Sequence, residues 1–367
     1  MRFLFIAMNN MGNEHSGGDT IWINLYNKWF RKDDNWCFTV GCKEARNLYN
    51  KVRGNYVAPT IFNIAKNTII KTCIGIWRVL FWKILPTVDY VYSVSDFYPD
   101  LIPALIYKFK HKQTKWIAAY YLVAPHPFSP ISPYKGINRV KGTLYWLSQR
   151  LSLFLVNCYA DIVFITSEPD RKHFPNKKVV VIRGGVDRVG ERNKNPKYDA
   201  IFIGRFHYQK GVLELLDIWN QVVYLFPKAK LCMVGDGPLK NEVLKKRHLL
   251  KLENNIDIVG FKNGVEKYAL IQDSKMVVHP ATFDSGGMAC AEAMAFGLPA
   301  IGFDLPAYET YYPKGMVKVK NNKDFAHQIT KFKCNNGYPE YSKQAKELIQ
   351  EHWLWEKRAS EIYNEII

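Results

Sequence analysis

The sequence predicts an α/β protein made of two doubly wound, Rossmann-like parallel sheets facing a cleft. Three observations carry this. At ~150 residues per domain, the 367 residues correspond to two domains. Short β-branched runs alternate with longer helical patterns, as in parallel α/β units. A polar stretch, Asp187–Lys197, interrupts the alternation near the middle, and the same pattern then begins again. Hydrophobic residues at 48% and charged residues at 23% are ordinary globular usage, which excludes a disordered or collagen-like chain.

Residues 2–8 read as a buried first strand, followed by a glycine-containing loop (Asn9–Asp19) and a helix from about Thr20 to Phe30. Further strands are expected at Tyr90–Ser93, Trp116–Ala119, Ile162–Ile165 and Val179–Ile182. Beyond the polar stretch, strands at Ala200–Ile203, Lys230–Val234, Ile256–Val259 and Met276–His279 alternate with helices at Gly211–Leu225 and Pro238–Leu250. Another helix starts near Met288, and from about Tyr341 the chain reads as an amphipathic helical tail carrying Trp353, Trp355, Ile362 and Ile366. The expected divisions are 1–190, 191–345 and a C-terminal helical tail, 346–367. Ligands are expected at the carboxyl ends of the strands.

Seven scattered cysteines without a C-x-x-C pair fit neither a zinc ribbon nor a disulfide framework, and suit a reducing cytoplasm. The opening run MRFLFIAM is too short for a signal peptide or a bilayer span. The net charge of +18 is lopsided. Residues 1–198 carry +16 and residues 199–367 only +2, so the first half alone is suited to an anionic partner. Nucleic acid and an anionic membrane both qualify on charge.

The most specific stretch is HPATFDSGGMACAEAMAFGLPAIGFD, His279–Asp304, in which Glu292 follows Asp284 by eight residues. Gly286 and Gly287 let backbone approach a ligand, and the helix beginning at Met288 offers free N–H groups to a phosphate. Glu292 is placed to accept hydrogen bonds from a ribose diol; a buried helix start with an incidental acid is the plainer reading. In IFIGRFHYQKGVLELL, Arg205 and Lys210 lie on one strand-to-helix loop, as a departing diphosphate requires. The plainer reading there is a solvated loop. Gly17 and Gly18 form a third, weaker glycine turn in the first half.

In order and spacing these stretches resemble the GT4 family of glycosyltransferases, whose fold is GT-B. GGVD (Gly184–Asp187) resembles the family's N-G-V-D, VGDGP (Val234–Pro238) its G-x-G-P turn, and WLWEKRASEIYNEI the tail that crosses back to the first domain. The resemblance implies a retaining transferase using a UDP- or GDP-sugar. It assigns Arg205 and Lys210 to the diphosphate, Glu292 to the ribose, and Gly286, Gly287 and Met288 to amides beside sugar and phosphates. Gly17 and Gly18 would close the phosphate site, and His126 would stand beside the donor sugar. Gly260, Phe261 and Lys262 fall in the loop that meets the base. Asp284 occupies the place of the family's first glutamate and is one methylene shorter, which puts its sugar contact in question. No D-x-D motif occurs, so no metal or other cofactor is expected. A related epimerase or phosphorylase is the nearer rival reading. A nucleic-acid-binding protein is the remoter one, because no nucleic-acid motif accompanies the charge.

Residues 66–85 form a broad amphipathic pattern. Ile69, Ile70, Ile74, Trp77 and Phe81 share one face, Lys71, Arg78 and Lys83 the other, and Trp82 breaks the polar side. Either this helix packs on the first sheet, or it lies on a membrane through Lys71, Trp77, Arg78, Phe81, Trp82 and Lys83. The second reading places the protein in the cytoplasm at the inner face of the cell membrane, with a lipid-linked or glycan acceptor and no nucleic acid.

Overall fold

The computed structural model describes residues 1–9, 17–29, 35–38, 55–56, 67–81, 87–130, 132, 134, 136–182, 184–187, 189–284, 286–334 and 339–367. They divide into two compact units. Unit 1 comprises Met1–Pro127, Ile137–Gly184 and Trp355–Ile367; unit 2 comprises Phe128–Gly136 and Gly185–Leu354. The chain therefore leaves unit 1 before the polar stretch rather than within it. The reason is visible in the hydrogen bonds. Asn193 N–H donates to Gln272 O (2.8 Å) and Gly190 N–H to Ala295 O (3.1 Å), so that stretch lies along unit 2. The return occurs at Trp355, nine residues after the expected 346, and the excursion Phe128–Gly136 was not anticipated.

Unit 1 runs β1 (Phe3–Ile6), α1 (Gly17–Trp29), β2 (Asn35–Phe38), β3 (Asn55–Tyr56), α2 (Thr68–Phe81), β4 (Tyr90–Ser93), α3 (Tyr98–Lys110), β5 (Lys115–Tyr120), α4 (Asn138–Tyr159), β6 (Ile162–Ile165) and β7 (Lys178–Val181). Its parallel sheet has the order β3-β2-β1-β4-β5-β6-β7. Strands β1, β4 and β6 are buried along their whole length, as strands covered on both faces must be. From β3 onward every crossover moves the same way across the sheet, so right-handed connections place α2, α3 and α4 on one face. The β1-to-β2 crossover runs the other way and puts α1 on the opposite face.

Of the two orientations expected for helix α2, the one with its apolar face packed on the sheet is not adopted. Lys71, Gly75 and Arg78 share its inward face, and Lys71 and Arg78 are buried, so neither can front a membrane. The residue that turns the helix is Gly75. A Cβ there would stand 2.5 Å from Pro103 Cγ of α3 and 2.9 Å from Met8 Sδ, so only glycine permits this approach. Positions four before and three after it must then point inward with it. Lys110 of α3 seals the end of α2, its Nζ donating to Val79 O (2.9 Å) and Leu80 O (3.1 Å). Trp82 and Lys83 lie outside the described residues.

Unit 2 runs β8 (Tyr198–Ile203), α5 (Val212–Leu225), β9 (Leu231–Val234), α6 (Lys240–Leu249), β10 (Ile256–Gly260), α7 (Gly264–Gln272), β11 (Ser274–His279), α8 (Met288–Met294), β12 (Ala300–Phe303), α9 (Pro306–Tyr311), β13 (Met316–Val319), α10 (Asn322–Cys334) and α11 (Pro339–His352). The sheet is parallel, in the order β10-β9-β8-β11-β12-β13. Apolar side chains of α5 and α10 cover one face, including Leu215, Trp219, Phe325 and Ile329, all buried. Cys290, Met294, Leu348 and Trp353 belong to the second core cluster. A final helix, α12 (Trp355–Ile366), rejoins unit 1. It packs on α1, where Trp29 Nε1–H donates to Ala359 O (2.6 Å).

Candidate active site

In the unit 2 sheet the strand order reverses between β8 and β11. Loops leaving neighbouring strands at such a reversal diverge and open a crevice at the carboxyl edge. The two most specific sequence stretches are those two loops. Gly211 locks them together. It has φ +63°, and a Cβ there would come within 1.9 Å of Pro280 O, so no other residue fits. Thr282 N–H also donates to Gln209 O (3.0 Å).

This docking brings Lys210 against Asp284, with Nζ to Oδ2 at 2.6 Å. The same oxygen accepts from Tyr308 (3.4 Å) and stands 2.9 Å from His279 Nε2. Gly286 N–H, ahead of α8, reaches Oδ1 at 3.4 Å. Burial alone raises the Asp284 carboxyl, but Lys210 and His279 outweigh it and hold the group well below the usual range. Asp284 is thus an ionised anchor for Lys210. Neither His279 nor Tyr308 was singled out in the sequence. His279 is the last residue of β11, and its position at a strand's carboxyl end was the available signal.

Arg205 is exposed, and its loop runs beside the VGDGP turn, with Phe206 N–H donating to Asp236 O (2.9 Å). His207 lies between the two cations in sequence. Burial, Arg205 and Lys210 all lower its pKa, so it is neutral at pH 7, and its ring stands 6.2 Å from that of Tyr134. Glu292 of α8 is gripped by Lys267 of α7, whose Nζ lies 2.7 Å and 2.8 Å from the two carboxylate oxygens. Lys267 was missed because nothing local to α7 marks it. At the end of β10, Gly260 has φ +73° and open space above it, Phe261 is exposed, and Lys262 pairs with Glu266 (3.0 Å). Arg205, Lys210, Asp284, Gly286, Gly287, Met288 and Glu292 therefore all belong to the loops and helix start at the β8/β11 edge.

The remaining candidates belong to unit 1. His126 is exposed, edge-on to the Trp146 ring at 5.0 Å. Its loop is fixed by buried Gln149, which accepts from Ala124 N–H (2.7 Å) and donates to Leu122 O (2.9 Å). Gly17 and Gly18 open α1 ahead of Asp19, which accepts from Trp22 Nε1–H (3.2 Å). The unit 1 sheet reverses between β1 and β4, and there Asp100 accepts from Met8 N–H (2.5 Å), Asn9 N–H (3.0 Å) and Ser95 Oγ–H. Burial nonetheless pushes Asp100 up to about 7, and nearby Asp96 up to about 6. Among the described residues no cluster of three His, Cys, Asp or Glu side chains is placed to hold a metal ion.

Residues 186–351, within unit 2, match the family described as glycosyl transferases group 1. The chain is 30% identical over 164 residues to the amylovoran biosynthesis glycosyltransferase AmsD of Erwinia amylovora, covering 41% of this chain and 45% of that one. It is 26% identical over 115 residues to the alpha-monoglucosyldiacylglycerol synthase of Acholeplasma laidlawii, covering 31% and 28%. The chain spans less than half the length of these curated relatives. In fold, its whole length matches Anabaena HepE, solved with UDP and glucose, at a TM-score of 0.77 and 14% identity, covering 99% of that chain. The architecture is therefore that of the GT-B glycosyltransferases, two Rossmann-like domains with parallel sheets.

Proposed function

We propose that this protein is a retaining, GT4-like glycosyltransferase that moves a sugar from a UDP- or GDP-sugar to a lipid-linked or membrane-associated glycan. The observation that carries the reading is the β8/β11 edge of unit 2. It gathers two cations, Arg205 and Lys210, a glycine pair and a helix start, and pins Lys210 with an ionised aspartate. That is an electrostatic site for a leaving diphosphate, built before the substrate arrives. HepE, crystallised with UDP, and the diacylglycerol-linked product named for the Acholeplasma relative support donor and acceptor class respectively.

In this reading the acceptor hydroxyl attacks from the face the diphosphate leaves, and a diphosphate oxygen takes its proton. Arg205 and Lys210 hold the departing charge, and Glu292 accepts from the ribose hydroxyls. Asp284 serves through Lys210 rather than by touching the sugar. The reaction runs without a metal, inside the cytoplasm, with unit 1 on the membrane's inner face and no role for nucleic acid.

Screening UDP- and GDP-sugars for hydrolysis and transfer tests this, with NMR assigning the anomeric configuration of the product. Transfer with retention, unchanged by EDTA, is expected. An inverted product, strict dependence on added metal, phosphate-dependent sugar release or an isomerised donor overturns it.

A further inference from the structure

Three helices cover one face of the unit 1 sheet, and two of them turn apolar side chains outward. On α2, Ile69, Trp77 and Phe81 are exposed to 72%, 57% and 66% while Lys71 and Arg78 are buried. On α4, Val140, Leu144, Leu147, Leu151 and Phe154 are all exposed, whereas Gln149 and Ser152 are buried. Both helices bury polar side chains and turn much of their apolar surface outward, against the usual pattern of a surface helix, with Val79 and Val156 as the apolar residues that face the core. Some of the exposed rings pack on one another. Trp77 and Phe81 lie ring to ring at 6.3 Å, and exposed Phe109 of α3 meets Tyr159 of α4 at 5.1 Å. A soluble surface rarely tolerates so large an apolar patch without a partner.

Charge identifies the partner. Neither α2 nor α4 contains an aspartate or glutamate. Between residues 60 and 160 the acids are Asp89, Asp96 and Asp100, against twelve lysines and arginines. Arg139, Lys141 and Arg150 are exposed on α4, among its outward apolar residues. A second copy of the chain would set this cation-bearing, acid-free face against its own like. An anionic lipid leaflet complements both its charge and its apolarity.

We infer that the outer faces of α2 and α4 together form a membrane-docking surface, with the apolar side chains entering the leaflet and Arg139, Lys141 and Arg150 meeting anionic headgroups. This deepens the membrane association proposed above, and rests on it. Contact is with the surface alone: among the described residues no helix is long and apolar enough to cross a membrane.

The test uses the full chain with vesicles of roughly three parts phosphatidylcholine to one of phosphatidylglycerol, and with phosphatidylcholine alone. The protein is expected to sediment with the anionic vesicles and far less with the neutral ones. Trp77→Gln with Phe81→Gln on α2, and Leu147→Gln with Leu151→Gln on α4, should each lower the partition coefficient roughly tenfold or more. Both variants are expected to keep the melting temperature and UDP binding of the parent, since the replaced side chains are exposed. Arg139→Glu with Lys141→Glu should remove the preference for anionic vesicles. Undiminished vesicle binding by folded variants overturns the inference. So does a parent that is a dimer in light scattering and becomes a monomer in these variants. Donor-sugar hydrolysis without vesicles tests the transferase reading separately, so failure of either is seen on its own.

Discussion

Arg205 and Lys210 are equivalent in the sequence pattern but not in the structure. Lys210 neutralises a buried carboxylate, whereas Arg205 is exposed. Each alanine substitution should cost about 2–4 kcal/mol of transition-state stabilisation, roughly 30- to 1,000-fold in kcat/KM. The two should part in thermal melts. Lys210→Ala leaves Asp284 as a buried charge with one cation fewer, a loss of about 3–5 kcal/mol in stability, and Arg205→Ala leaves the melt unchanged. Adding Asp284→Asn to Lys210→Ala should restore much of the stability without restoring transfer. Equal melts for the two single variants would mean that the ion pair does not exist in solution. Spacing alone marked both ends of this pair, Lys210 and Asp284, as candidates. It did not mark their contact across 74 residues of sequence, because the adjacency of β8 and β11 is a property of topology. Lys267 and Tyr308 escaped for the same reason, since each acts on a partner carried by another element, whereas His279 stands only five residues before Asp284 and was overlooked despite that local spacing.

Strands were the legible elements. Tyr90–Ser93 and Ile162–Ile165 coincide with the expected runs, because parallel strands covered on both faces must be apolar or aromatic throughout. The short strands β2 and β3 were not expected, since four and two residues give too little pattern to read. The periodicity of α2 was read correctly, and which face turns inward was left open. Amphipathicity says which residues share a face, but Gly75 decides which face turns inward. At the junction of β4 and α3, Asp100 gives a prediction with a definite sign. Its folded pKa of about 7 lies above the ordinary value of 3.8, so the folded state binds the extra proton. Its contribution is therefore lost as pH rises from about 4 to 7 and stays lost above that. Asp100→Asn keeps an acceptor for Met8 and Asn9 and removes the titration. The melting temperature of this variant relative to the parent should rise between pH 5 and pH 8. A constant difference would show that Asp100 is already ionised at pH 5.

At the scale of the whole molecule, unit 1 is completed by a segment that follows unit 2 in the chain. Trp29 donates to Ala359 and stacks edgewise near Tyr363, with ring centroids 6.3 Å apart, and Ile362 and Ile366 are buried. A chain ending at Leu354 should therefore lose stability in unit 1 specifically. Hydrogen exchange is expected to increase across α1 and β1, while β8–β13 stay protected. Uniform exchange in the two units would place the stabilising role of α12 elsewhere.

The same closing helix has a consequence for synthesis. Ribosomes release the N-terminal segments first, and most domains fold in that order, at ~5–20 residues per second. Here the sheet that emerges first lacks its last helix until another 170 residues, Gly185–Leu354, have been made. That interval is roughly ten to thirty seconds at those rates. During it the side chains that receive α12 stand uncovered, Trp29 among them, and unit 2 can fold to completion. Nascent chains should then bind a trigger-type chaperone through the α1 face and release it only after α12 has emerged, so the half translated first would be the half finished last.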